Sequence, residues 1–161
     1  MNFPDPNAPI RDQEPTVLLA LTVLGEAEGE PERGKAAVAH VVKNRMAKKG
    51  KTVAEVVLKR WQFSCWNNHT DRLAFLVETI DKQAKNIPLG MWAACWRAAD
   101  EALRGLSSDP TEGATHYCVN SLWGRDDSGA RTPAWHSRQE LDAGNTKWTA
   151  AIGGHTFGTA A

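Results

Sequence analysis

Apolar positions set the first half of the chain in helical rhythm. Val17, Leu18, Leu21 and Leu24 fall on one face with Ala20 beside them. Pro15 suits a first turn, so a helix is predicted from Pro15 to about Glu28, bracketed by Gly25 and Gly29. Pro31 opens a second, whose Ala37, Val38, Val41, Val42 and Met46 form a stripe. It should stop at Gly50, after lysines that complement the negative end of the helix dipole. Thr52 with Glu55 reads as a capping box for a short helix over Val53 to Lys59. Two further helices are expected, from about Asp71 to Asn86 and from Gly90 to Arg104, with Gly105 as a stop. Beyond the turn Asp109–Gly113 the pattern shortens, and Thr115–Val119 and Thr149–Phe157 read as strands. The fold class is therefore α+β, mainly helical, with a small β portion at the C-terminal end. Residues 1–13 read as a loose arm, and 14–161 as a single domain.

Composition narrows the classes of function. Lys+Arg and Asp+Glu are both 19, so no global basic field points to nucleic acid. The basic stretch Lys43–Lys51 reads as a solvated helix end. Hydrophobic content of 42% is ordinary for a globular chain, and Val17–Leu24 is far short of the ~20 residues of a membrane span. Stable membrane insertion is not expected, and a monomer is. Seven tryptophans against one tyrosine is an unusual balance. Their flat faces suit the apolar faces of sugars, and about half are expected to line a groove. Trp92 and Trp96, four apart on a helix, read as core. The three cysteines, Cys65, Cys95 and Cys118, form no paired motif and read as reduced, mostly buried thiols. The N-terminus has neither a basic n-region nor an apolar h-region, so no signal peptide is expected.

Candidate chemistry concentrates in Leu24-Gly-Glu-Ala-Glu-Gly-Glu30, where carboxylates at 26, 28 and 30 meet the end of an apolar helix. Acid catalysis of glycoside cleavage needs a carboxyl group that keeps its proton near neutral pH, which an apolar, aromatic setting favours. Glu26 borders the apolar face of Leu18 and Leu21. Glu28 is rotated roughly 200° from it and should face water. Glu30 precedes Pro31 and suits the positive end of the next helix, a structural task. On pattern alone, a surface charge near a helix end remains the plain alternative for Glu26.

Gly25-Glu26-Ala27-Glu28-Gly29-Glu30-Pro31, then Gly34, Ala37-Val38-Ala39 and Val42-Lys43-Asn44-Arg45, resembles the opening of the SleB-type cell-wall hydrolase family. Further matches follow in that family's order: Gln62-Phe63-Ser64; Ala102-Leu103 with Gly105; Asp109-Pro110-Thr111; Gly113-Ala114-Thr115-His116-Tyr117; Pro133-Ala134-Trp135; and Ile152-Gly153-Gly154-His155-Thr156-Phe157. The stretch Trp66–Pro88 departs from the pattern, as does Cys118. The resemblance implies a lysozyme-like domain whose catalytic acid is Glu26. It also implies a lytic transglycosylase acting on peptidoglycan glycan strands, in which one carboxyl protonates the glycosidic oxygen. The resulting carboxylate then takes the proton of the muramic C6 hydroxyl, leaving a 1,6-anhydro end. Hydrolysis would usually want a second carboxylate roughly 5–9 Å away. Asp126 and Asp127 are the candidates, although in a Gly-flanked loop they read more readily as solvated turn residues. For the groove the expected substrate-binding residues are Gln62, Phe63, Ser64, His116, Tyr117, Trp135 and His155. Core packing is the alternative for Phe63 and Trp135, and a buried strand histidine for His116 and His155.

Three rivals stand beside this reading. A zinc amidase or peptidase would need metal ligands, yet no two of His40, His69, His116, His136 and His155 have HExxH-like spacing. A cysteine peptidase would use Cys65 or Cys118, neither in a recognisable nucleophile setting. A glycan-binding module would keep the tryptophans but have no use for Glu26. No metal or other cofactor is expected. With no signal peptide, the expected setting is a phage endolysin made in the host cytoplasm, reaching peptidoglycan in the periplasm or wall after membrane release.

Overall fold

The computed structural model describes residues 1–119 and 146–160. The expected Asp126, Asp127, Trp135 and His136 lie outside them.

Helix α1, Pro15–Ala27, is the centre of the molecule. Pro15 occupies the first turn, and the Glu14 carboxylate caps it by accepting from the Thr16 and Val17 amides. Every residue from Val17 to Gly25 is buried, so the helix is apolar all round and must be covered on every side. It packs against α5, Leu89–Arg104, and α2, Glu32–Lys49. Short α3, Val53–Val57, starts at the Thr52–Glu55 capping box. Gly50 and Gly105 end α2 and α5 in left-handed conformations, φ 59° and 70°, where a side chain would be strained.

Helix α4 spans Asp71–Asp81, shorter than the stretch to Asn86 that its sequence suggests. The chain turns left-handed at Gln83, φ 50°. The Gln83 amide bonds to Ile80 O and the Ala84 amide to Thr79 O at 2.7 Å. These are the two bonds of a Schellman stop, and they bury Ala84.

Residues 1–13, expected as a loose arm, are tied down. The buried Gln13 side chain bonds Asp5 N, Asp5 O and Ala8 O, Trp92 Nε1 donates to Asn2 O, and Phe3 stacks on Trp92.

The β portion is a three-stranded antiparallel sheet, β1 His116–Val119, β2 Thr146–Ile152 and β3 His155–Ala160, in order β1-β3-β2. The stretch Thr149–Phe157 is thus two strands of a hairpin, turned at Gly153-Gly154 with Ile152 opposite His155. Ala37 and Val41 of α2 pack with Ala114, Ile152 and Phe157 to join sheet and helices. The turn before β1 is held by Asp109, which accepts from the Thr111 and Gly113 amides and from Asn44. Desolvation opposes its charge, yet these bonds outweigh it and hold the carboxyl below its usual range.

Candidate active site

The last turn of α1 meets the 3-10 turn Ser64–Trp66 at Gly25. A Cβ on Gly25 would stand 2.5 Å from Cys65 Cβ and 3.0 Å from Leu76 Cδ1. Only glycine lets the two backbones come this close. Trp66 Nε1 donates to Thr22 Oγ1 at 3.0 Å, locking the turn to the helix.

That approach fixes the Glu26 carboxylate. Its Oε1 accepts from the Cys65 amide at 2.8 Å and from Ser64 Oγ at 3.0 Å. Its Oε2 accepts from the Tyr117 hydroxyl at 2.8 Å. Desolvation, then the Glu26 charge, pushes the Tyr117 phenol well above its usual range, so it stays a donor. The same two causes push up the Cys65 thiol, which therefore stays protonated rather than becoming a thiolate nucleophile.

Behind these groups runs a chain of buried contacts. The Tyr117 ring meets His155 edge-on at 5.2 Å and lies 5.6 Å from Phe157. His155 Nδ1 is 3.5 Å from Glu30 Oε1, and both Glu30 oxygens accept from the Gly154 amide at 3.1 Å. Glu30 therefore clamps the hairpin that carries His155. Arg45, 6% exposed, donates to Thr115 O and to Gln62 Oε1, and its guanidinium lies 4.9 Å from the Phe63 centroid. Burial lowers its titration, which Tyr117 and Glu26 oppose.

Glu26, Gln62, Ser64, Tyr117 and His155 line one cavity of about 320 Å³. Phe63 is buried beneath and lines an adjoining cavity. His116 borders neither; its Nδ1 faces Thr115 Oγ1 at 3.0 Å. Arg45, Trp61 and Asn67 also line the first cavity and are additions to the expected set. Arg45 had a legible signal, since a cation two turns beyond Val38 and one beyond Val41 continues the buried stripe of α2. Trp61 and Asn67 had none beyond residue type.

Fold and cleft together define a mainly helical α+β enzyme domain built around a carboxylate-bearing groove. The chain belongs to the cell wall hydrolase family, whose pattern matches residues 29–158. In three dimensions it is similar to the catalytic domain of the SleB protein of Bacillus cereus, at 26% identity and a TM-score of 0.57, covering 95% of this chain and 94% of that one. It is also similar to the catalytic domain of the germination-specific lytic transglycosylase SleB of Bacillus anthracis, at 26% identity and a TM-score of 0.54, over 86% and 88% of the two chains. No curated protein matches it. Among the described residues, no helix is long and apolar enough to cross a membrane.

Proposed function

We propose that the protein is a peptidoglycan lytic transglycosylase that cleaves the bond between N-acetylmuramic acid and N-acetylglucosamine, with Glu26 serving in turn as acid and base. The observation that carries this reading is that Glu26 is the one carboxylate among the described residues lining the cavity. A lone carboxyl suffices when the sugar's own C6 hydroxyl replaces water as nucleophile.

Both acceptor positions of Oε1 are taken, by the Cys65 amide and Ser64 hydroxyl, while Oε2 meets Tyr117 alone. The transferable proton accordingly belongs on the open position of Oε2. It passes to the glycosidic oxygen as the C1–O bond breaks. The three donors, already in place, stabilise the charge that develops on the carboxylate, an interaction stronger in the transition state than before it. The carboxylate then takes the C6 hydroxyl proton as O6 bonds to C1. Glu26 is left protonated for the next cycle. Gln62 and Asn67 supply amides for N-acetyl and hydroxyl groups, and the rings of Tyr117 and Trp61 supply apolar faces.

Mass spectrometry of muropeptides released from purified walls tests this. Anhydro ends are expected, and Glu26→Gln should lower their release by about 10²–10⁴-fold. Reducing ends would instead indicate hydrolysis, and cleaved stems a different class of enzyme. For the biological setting we retain a phage endolysin. Lysis on expression should then require a holin-type membrane lesion, and lysis without one would count against it.

A further inference from the structure

Trp61 is 68% exposed and holds a φ of 66°. It sits in the turn closed by the Gln62 amide on Lys59 O at 3.1 Å. A bulky residue in the left-handed region strains the backbone, and an indole in water gains nothing from burial. Packing does not account for either cost, so an outward task is the natural reason for both.

The surroundings indicate the task. Trp61 lines the cavity that holds Glu26 and also the adjoining cavity of about 480 Å³, a volume within the range of small-molecule sites. Asn67 is likewise shared. The second cavity is apolar at Leu58, Phe63 and Trp66, and cationic at Lys59 and Arg60, with the Arg60 guanidinium 5.0 Å from the Trp61 centroid. The chain as a whole has net charge 0, yet cations crowd here. Lys49, Lys51 and Lys59 share a neighbouring recess with Arg45. Desolvation, then Lys59, Arg45, Lys51 and Lys48, lowers the titration of Lys49. The acid among them, Glu55, is engaged by Thr52. Among the described residues, no carboxylate pairs with Lys59 or Arg60. A strand of alternating plain and peptide-bearing sugars offers two complements side by side, pyranose faces for an indole and stem carboxylates for cations.

We propose that the second cavity is a subsite for the peptide-bearing sugar flanking the scissile bond, with Trp61 stacking on the pyranose and Lys59 and Arg60 holding carboxylates of its peptide stem. This deepens the lytic transglycosylase reading and rests on it. Binding in the full chain carrying Glu26→Gln separates the two. Soluble glycan chains with intact stems, and the same chains stripped of stems by an amidase, are titrated by calorimetry at low salt. Stem-bearing chains should bind about tenfold more tightly. Adding Lys59→Gln with Arg60→Gln should bring that ratio close to one. Both side chains are exposed, so the fold is retained, which circular dichroism checks. Trp61→Ala should weaken both ligands. Equal affinity for the two ligands, or a preference that survives the double substitution, overturns the subsite. Undiminished anhydro-muropeptide release by Glu26→Gln would instead overturn the catalytic reading, and leaves the measured stem preference to stand or fall separately.

Discussion

At the scale of single residues, Tyr117 and His116 show how neighbouring positions on one short strand take unrelated tasks. The Tyr117 hydroxyl is one of three donors on Glu26. Tyr117→Phe keeps the ring contacts and removes the donor. Activity should fall by about 10- to 100-fold with little change in thermal stability, as for loss of one hydrogen bond to a charged group. His116 is pressed by burial, then by Arg45, Lys48 and Lys49, to a pKa of about 4. Burial also lowers His40, against the pull of Asp109. Both histidines hold a proton less readily in the fold than once unfolded, where they titrate at about 6.5. The unfolded chain thus binds more protons below pH 6.5, and stability present above that pH is lost as the pH falls towards 4. Denaturant midpoints should drop between pH 7 and pH 5, and His116→Gln should flatten that slope. The candidate acid was singled out by the resemblance of Gly25-Glu26-Ala27 to the family's opening; on pattern alone, a glutamate at the end of an apolar helix reads as readily as a surface charge. Of its three donors, Ser64 and Tyr117 stood among the expected groove residues, whereas the Cys65 amide carries no side-chain signature.

At the scale of elements, local chemistry decided what could be read. The capping box at Thr52 and the left-handed glycines at 50 and 105 follow known start and stop rules, and those boundaries fell where expected. The end of α4 did not, because Gln83 fills the position where glycine or asparagine usually signals a Schellman stop. The β2–β3 hairpin was read as one strand because its turn is compressed into two glycines. Those glycines leave room for the Glu30 carboxylate against the turn. A Cβ on Gly153 would lie 1.8 Å from Glu30 Oε2, at a backbone φ of 55°. Gly153→Ala should therefore loosen the hairpin that carries His155. Faster amide exchange over β2 and β3, with α1 unaffected, is the expected signature. Glu30 was expected to serve the start of α2, where no side chain caps the helix; the Gly154 amide it accepts from lies 124 positions further along the chain, beyond the reach of any local pattern.

At the scale of the whole molecule, two features stand apart from anything a window of sequence reveals. One is the uneven placement of charge around the groove in a chain that is neutral in sum. The other is the sheathing of α1, whose apolar circumference rests on helices that follow it in the chain. The second has a consequence in time. A ribosome delivers α1 roughly sixty residues ahead of α5, an interval of about 3–12 s at ordinary elongation rates. During that interval the most apolar segment of the protein lacks the cover of α5, and the Asn2–Phe3 arm has no Trp92 to dock on. A fragment ending before Leu89 should accordingly aggregate or bind a hydrophobic dye such as ANS, whereas the full chain should not. Folding of the nascent chain is thus back-loaded: the domain that opens cell walls must first be shielded from its own beginning.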